Sequence, residues 1–300
     1  MAVRPAFPPG VVVEIKALAC ELPYEHGIPL SRFSLADIKR EAIRRGLVAS
    51  IGETTIWRWL SQDAIRPWHH RSWIFPRDPQ FREKAARILD LYEGWWDGKP
   101  LCDADCVVST DEKTSIQARR RKHATAPPGP SRAMRVEHEY ERKGAFAYFA
   151  AWDVRRAKVF GRCEEKTGIV PFGRLMNQVM SQEPYRSAPR VFWIMDNGSS
   201  HRGQACVLRV QKEWNNVVVV HTPVHASWLN QVEIYFSVLQ RKLLTPSTFA
   251  STAEGQDQVL QFERYYEQAA RPFQWKFTRR NLDRLLEHLE AVEYEHAAAA

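Results

Sequence analysis

The strongest constraint on the fold is a series of strand-like runs that begins at residue 106 and later alternates with helical stretches. β-Branched and aromatic residues dominate these runs, as is typical of strands. Hairpin-like strands followed by strands that alternate with helices predict an α/β class of fold, with a mixed sheet flanked by helices. The runs are CVVSTDEK, SIQARRR, GAFAYFAAWDV, KVFGRCEE, RVFWIMD and VVVVHTP, and the helical stretches lie near 171–182, 202–214, 231–244, 254–269 and 279–293.

The first hundred residues have a helical pattern instead. VVVEIKALACEL, residues 11–22, predicts a helix that Pro23 ends, because proline cannot continue a helix. The next helical segment, SLADIKREAIRRG, begins with Ser34 and Asp37 at the spacing of a capping box and ends at Gly46. The chain therefore starts with an all-α region.

A second helix after this one gives the spacing of a helix-turn-helix motif. In ETTIWRWLSQD, Ile56, Trp59 and Leu60 lie on one face of the predicted helix. The second helix of such a motif enters the DNA major groove, where Arg can bond guanine and Gln adenine. An ordinary helical hairpin fits the same spacing. The DNA-binding candidates on the opposite face are Thr55, Arg58 and Gln62.

Changes in composition divide the chain into three parts. Residues 1–63 form the predicted helix-turn-helix DNA-binding region. Residues 64–105, rich in Trp and Pro before the helical stretch FREKAARILDLYEGWW, form a predicted linker and helix. Residues 106–300 form the α/β domain.

Charge and composition indicate the kind of binding partner and the cellular compartment of the protein. Lys and Arg exceed Asp and Glu by 43 − 35 = 8, which favours a polyanionic partner such as nucleic acid. The five cysteines are scattered without zinc spacing, which indicates reduced thiols. No apolar run approaches the roughly 18 residues of a membrane span, and the N-terminus lacks the apolar core of a signal peptide. We expect a cytoplasmic, nucleoid-associated protein without a membrane partner.

Three carboxylates occupy positions that suit metal ligands. Asp111 follows an apolar run that includes Val107, Asp196 follows the run Val191–Met195, and Glu233 lies at the start of an amphipathic helix. We expect the first two acids at strand ends and the third on a facing helix. Mg²⁺ prefers oxygen ligands and takes only one or two carboxylates per ion. Two such ions about 4 Å apart can activate an attacking oxygen and stabilise a leaving one, which is phosphodiester chemistry.

Other acids are weaker candidates. Asp153 is the main rival, since it also ends an apolar run, AYFAAWD, although an acid at a strand end is usually a surface residue. Glu112 should point to the opposite face from Asp111, because side chains alternate along a strand.

The segments around the three acids resemble those of a known family. DEKTSIQA, DNGSSHRG and HTPVHASWLNQVE are similar to the signature blocks of bacterial insertion-sequence transposases related to mariner, within the DDE superfamily. The resemblance runs from about residue 10 to about residue 285, with the three blocks in the family's order. Between Asp196 and Glu233 lie 233 − 196 − 1 = 36 residues, close to the family's habitual spacing.

The resemblance implies an RNase H-like catalytic domain preceded by helix-turn-helix modules. It implies that Asp111, Asp196 and Glu233 are the catalytic acids and hold two Mg²⁺ ions, for which Mn²⁺ should substitute. It also implies double-stranded DNA as the partner, both transposon terminal inverted repeats and target DNA, with a homodimer and insertion at TA. The family usually has two helix-turn-helix modules, whereas one is evident here, which indicates either a shortened copy or a late start codon.

Several polar residues near the acids are further candidates. His201 and His225 could contact a phosphate or assist proton transfer, or could be structural. Asn197 and Asn230 could orient a carboxylate. Basic side chains on β-strand runs could contact DNA phosphates, and such contacts make DNA-binding affinity fall steeply with salt. The alternative is that these side chains form a basic edge exposed only to solvent. The candidates for these contacts are Lys113, Arg119, Arg120, Arg121 and Lys122.

The sequence thus predicts a DNA transposase that cuts at transposon ends and joins the 3′-hydroxyl to target DNA. Two alternatives remain open. One is a catalytically silent DNA-binding protein or repressor derived from a transposase. The other is a nuclease that hydrolyses but never joins.

Overall fold

The computed structural model describes residues 7–70, 76–198 and 203–298. The chain forms two compact units, Met1–Ile74 and Phe75–Ala300. Among the helices of the described residues, none combines the length and the apolar character that a membrane span requires.

The first unit is a cluster of three helices. They are α1 Pro9–Cys20, α2 Leu35–Arg44 and α3 Glu53–Gln62, with a short 3-10 helix at Pro23–His26. Ser34 and Asp37 form the predicted capping box at the start of α2. Gly46, just beyond its end, has the left-handed φ of 73° that favours glycine at this position. The buried side chains at the centre are Ile15, Leu18, Phe33, Ile38, Ala42, Ile56 and Leu60.

The burial of side chains along α3 agrees with the amphipathic pattern predicted from the sequence. Ile56 and Leu60 are buried, whereas Arg58 and Gln62 are exposed and Thr55 is half-buried. The connection from α2 to α3 comprises residues 45–52. It is longer than the turn of about three or four residues in a helix-turn-helix motif. The all-α region is present, and the helix-turn-helix assignment stays a prediction.

The second unit contains the mixed sheet that the sequence predicts. Its five strands have the order β5-β4-β3-β6-β7; β3, β4 and β5 are antiparallel neighbours, and β6 and β7 run parallel to β3. A separate two-stranded ribbon consists of β1 and β2. The strands are β1 Trp95–Trp96, β2 Lys99–Pro100, β3 Cys106–Arg121, β4 Tyr140–Asp153, β5 Val159–Glu164, β6 Val191–Met195 and β7 Val217–His221.

Helices cover both faces of the sheet and give three layers. One face packs against α4, α7, α8 and α9, and the other against α5 and α6. Because α4 contributes Ile88 and Leu89 to the core of the sheet, it is part of this unit. The three-part division drawn from the sequence stays a prediction. The helices are α4 Phe81–Glu93, α5 Ile169–Met180, α6 Gly203–Glu213, α7 Val232–Leu239, α8 Thr252–Glu267 and α9 Arg279–Ala298, with a π-helical turn at Gln240–Leu244.

The first strand of the sheet differs from the sequence prediction. CVVSTDEK and SIQARRR are not two strands but one, β3, with a shift of register between Lys113 and Ile116. Ser115 has a φ of 55° at this irregularity, which behaves as a bulge and leaves the strand continuous. The expectation that Asp111 ends a strand was therefore wrong, because it lies within β3.

Candidate active site

The register between β3 and β6 brings two of the three carboxylates together. These parallel strands pair Ser109 with Ile194, and two residues further along each chain lie Asp111 and Asp196. Neighbouring strands are about 4.8 Å apart, and side chains alternate between the two faces. Ile194 packs into the core that contains α7, so both acids lie on the α7 face of the sheet.

The third carboxylate comes from the first turn of α7. Ser109 Oγ accepts a hydrogen bond of 2.8 Å from the Val232 backbone N–H, which fixes the start of this helix to β3. The Glu233 N–H donates to the Asn230 carbonyl at 3.1 Å. The start of α7 is therefore attached to β3 at Ser109, which lies two residues before Asp111 in the strand.

Asn230 joins α7 to the candidate site. Its buried side-chain amide donates to the Thr110 carbonyl at 2.9 Å and reaches Asp111 Oδ2 at 3.4 Å. Its Oδ1 accepts from the Ser109 hydroxyl. The prediction that Asn230 orients a carboxylate agrees with these contacts.

Two supporting residues were missed in the sequence. Tyr92 of α4 donates its hydroxyl to the Leu229 carbonyl at 2.7 Å and accepts from Gln231 N–H at 3.3 Å. Asp78 accepts from Val224 N–H at 3.1 Å. Both come from the part of the chain that was assigned as a linker and helix, and no local pattern marks them as neighbours of the acids.

The carboxylate of Asp111 is held in an unfavourable environment. Burial raises the pKa of Asp111 to about 7, and the nearby charges of Asp196, Glu112 and Glu233 act in the same direction. A hydrogen bond of 2.8 Å from the Glu112 N–H to Oδ1 partly opposes this rise in pKa. Asp196 and Glu233 therefore both lie close enough to Asp111 for their charges to act on it.

A nearby cation partly offsets the effect of burial on the pKa of Glu233. Burial raises the pKa of Glu233, the positive charge of Lys113 lowers it, and Asp196 raises it. Lys113 thus lies close enough for its charge to act on the Glu233 carboxylate.

The other predicted residues around the acids divide into three cases. His225, with a φ of 62°, lines a cleft of about 350 Å³ together with Asp196. Asn197 also lines this cleft, but its amide donates to the Thr222 carbonyl at 2.7 Å rather than to a carboxylate. His201 lies outside the described residues.

Asp153, the rival acid, has a structural environment. It is fully buried, pairs with Arg156 at 3.3 Å and accepts a hydrogen bond of 2.7 Å from the Tyr185 hydroxyl. The backbone N–H groups of Arg155 and Arg156 also bind its Oδ1. These partners satisfy the carboxylate without a ligand.

The basic run at the end of β3 is largely paired within the β3–β4 ribbon. Arg120 forms an ion pair with Glu141, and Lys122 with Glu139. The Arg121 guanidinium donates to the backbone carbonyl of Glu137. Arg119 instead places its guanidinium 4.9 Å from the centre of the Tyr140 ring. These contacts favour the solvated basic edge for Arg120 and Lys122.

The donor set suits a hard divalent cation. In the described part of the chain, no cluster of three or more His, Cys, Asp or Glu side chains surrounds a single metal position. An ion such as Mg²⁺ needs only one or two carboxylates, with water and phosphate oxygens completing its shell. Burial is the main cause of the raised pKa of Asp111, and the neighbouring negative charges add to it; a bound cation would offset both. Asp111, Asp196 and Glu233 therefore fit this kind of ligand.

Comparison with known proteins agrees with this geometry. Residues 106–254 match the family model of the DDE superfamily endonucleases. No curated protein matches the sequence significantly.

Solved structures of the Mos1 mariner transposase share the fold. They include a paired-end complex with the left transposon end (15% identity, 97% of this chain and 80% of that chain, TM-score 0.53). A paired-end complex with Mn gives 14% identity, the same coverage and a TM-score of 0.52. A strand transfer complex gives 15% identity over 97% of this chain and 79% of that chain, with a TM-score of 0.51. The second unit therefore has an RNase H-like fold and carries a region that matches the DDE superfamily endonucleases.

Proposed function

We propose that this chain is a DNA transposase that cuts phosphodiester bonds at transposon ends and joins the freed 3′-hydroxyl to target DNA. The observation that carries the proposal is the convergence of Asp111, Asp196 and Glu233 on one face of an RNase H-like sheet. The Mos1 structures support the same activity, since they include a transposon-end complex and a strand transfer complex.

In this proposal the three carboxylates would hold two Mg²⁺ ions, and Mn²⁺ would substitute. One of the Mos1 complexes contains Mn. Ions bound in this way supply activation of the attacking oxygen and stabilisation of the leaving oxygen.

Other side chains near the three acids would position a carboxylate or contact the DNA. Asn230 fixes the position of the Asp111 carboxylate through its contact with Oδ2. Lys113 provides a positive charge beside Glu233 for a phosphate oxygen. His225 and Asn197 line the cleft beside Asp196, where a DNA strand would enter, and we propose His201 as a further phosphate contact.

The DNA partners belong to the same proposal. α3 would read the terminal inverted repeats through Thr55, Arg58 and Gln62. We propose a homodimer that holds two transposon ends, insertion at TA, and action on DNA in the bacterial nucleoid. These features rest on the resemblance to mariner-related transposases.

The direct test is metal-dependent nicking of DNA that contains the transposon ends. Asp196→Ala should abolish nicking and retain DNA binding, because it removes a metal ligand without altering α3. Asp103→Ala, which changes a fully exposed acid before β3, is the matched control and should nick like the wild type.

Two outcomes would replace the proposal. A wild-type protein that binds end-containing DNA but never nicks it, with Mg²⁺ or Mn²⁺ present, is a silent DNA-binding protein. A protein that nicks but does not join pre-nicked ends to target DNA is a nuclease without strand-transfer activity.

A further inference from the structure

A polar groove lies along β3 beside the candidate active site. One wall is the irregular stretch of β3, and the other is the π-helical turn after α7 with the residues that follow it. The groove has a volume of about 180 Å³. We call it the β3 groove; its lining residues are Lys113, Thr114, Ser115, Ile116, Gln117, Arg119, Gln240, Leu244, Thr245 and Ser247.

The lining suits an anion. It contains two cations, Lys113 and Arg119, with hydroxyl and amide groups between them, and none of the described residues that line it is a carboxylate. Across the described chain, no carboxylate lies within ion-pair distance of either cation, in contrast to Arg120 and Lys122. The Tyr140 ring holds the Arg119 guanidinium in place. Lys113 is partly offset by the more distant charge of Glu233, so Arg119 contributes most of the free positive charge along this bulge.

Lys113 links the groove to the proposed metal-binding carboxylates. This residue lines the groove, and its charge also acts on Glu233. From Lys113 to Arg119 the strand spans up to about 20 Å at about 3.3 Å per residue. Each DNA strand carries one phosphate per roughly 3.4 Å of duplex axis, so the groove can follow more than one phosphate.

We propose that the β3 groove binds the sugar-phosphate backbone of the DNA strand that continues from the bond to be cut. This inference rests on the proposed function, because it assigns the substrate's path at the same site. Phosphate contacts position DNA without reading its sequence. The groove therefore contributes affinity and alignment, whereas α3 supplies recognition of the transposon ends.

The test measures binding of fluorescent duplex DNA to metal-free Asp196→Ala protein across a series of salt concentrations. Adding Arg119→Gln should weaken binding to end-containing and unrelated duplexes alike. It should also reduce the slope of log affinity against log salt by about one, because one phosphate contact is lost. Arg119→Lys keeps the charge and should retain the slope.

Arg186→Gln is the matched control, since it removes an exposed arginine of the same unit, paired with Glu183, from outside the groove. If Arg119→Gln and Arg186→Gln change the slope equally, only long-range charge is involved and the proposal is overturned. Ser247→Asp places a carboxylate in the groove without altering β3, and should also weaken binding; unchanged binding would contradict the proposal. Because no cutting is measured, these results stand apart from any failure of nicking by the wild-type enzyme.

Discussion

At the scale of single residues, the site depends on an amide that connects two elements. Asn230 is fully buried, and its side chain contacts the Ser109 hydroxyl, the Thr110 carbonyl and the Asp111 carboxylate. An amide can donate and accept at once, so it joins a hydroxyl to a carboxylate without adding charge. We therefore propose Asn230 as a positioning residue, which acts on the proposed metal ligand Asp111.

Asn230→Ala should impair metal use more than it impairs folding. Loss of a residue that orients a ligand typically costs about 10–100-fold in metal affinity or activity. We expect the Mg²⁺ concentration for half-maximal nicking to rise by about this factor. The loss of buried hydrogen bonds should lower the free energy of unfolding by about 1–3 kcal/mol.

Asn216→Ala is a suitable control for this change. The Asn216 amide donates to the carbonyls of Tyr185 and Ala188, at 3.0 and 2.9 Å, away from the acids. It should reduce stability without shifting the Mg²⁺ requirement. Equal shifts in both variants would show that Asn230 acts only on stability.

At the scale of elements, the joint between α8 and the sheet contains a half-buried carboxyl group, that of Glu263. The Tyr148 hydroxyl of β4 donates to Glu263 Oε2 at 2.8 Å and lies 3.0 Å from the Tyr235 hydroxyl of α7. Burial raises the pKa of Glu263 to about 7, and the charge of Glu267 adds to this rise. Helices from two parts of the chain therefore meet at one titratable group.

Glu263→Gln should flatten the pH dependence of stability. The folded-state pKa lies above the unfolded value near 4.5, so the carboxyl group's favourable contribution is full below pH 4.5. That contribution is lost as the pH rises through about 7. From pH 4.5 to 7.5, the free energy of unfolding of the wild type should fall relative to the variant by up to about 3 kcal/mol.

Denaturant unfolding at several pH values measures this difference. Glu213→Gln, an exposed acid at the end of α6, is the control. Parallel pH curves for the wild type and Glu263→Gln would contradict the assignment of a protonated carboxyl at this joint.

The elements also show how far a sequence can be interpreted. The apolar runs predicted β4 to β7, and the helical spacing predicted α2, α3 and α7, because burial imposes these patterns directly. The continuity of β3 was not predictable, since a bulge at Ser115 interrupts the alternation without ending the strand. The bracing by Tyr92 arises from packing between distant segments, for which one sequence carries no local signal.

At the scale of the whole molecule, the two proposed roles fall on two separate units. The unit Met1–Ile74 has its own core and an exposed polar face on α3, and the unit Phe75–Ala300 contains the carboxylates. The acids could be chosen from the sequence because three short segments pointed to them. The phosphate contacts at Arg120 and Lys122 stay a prediction; their pairing with Glu141 of β4 and with Glu139, which precedes β4, depends on strand register and could not be predicted from the sequence.

Arg58→Ala should weaken recognition of end-containing DNA without altering the candidate active site. If Arg58 contacts a guanine in the major groove, its loss costs about 1–3 kcal/mol of discrimination against the wrong base. Competition binding should then show the preference for end-containing over unrelated duplex reduced by about 5–150-fold.

Arg40→Ala, which removes an exposed arginine from α2, is the control and should retain the preference. An unchanged preference in Arg58→Ala would show that α3 does not read the DNA and would favour the ordinary helical hairpin.

The parallel pairing of Cys106–Ser109 with Val191–Ile194 also limits how such a gene can change. Deleting one codon between the pairing and Asp111 would turn that carboxylate to the α5 side of the sheet, because alternate side chains face opposite ways. Insertions far from this short stretch would leave the acids in place. If the proposed function holds, gene copies with altered loops would stay functional, whereas a single-codon deletion at this point would inactivate one.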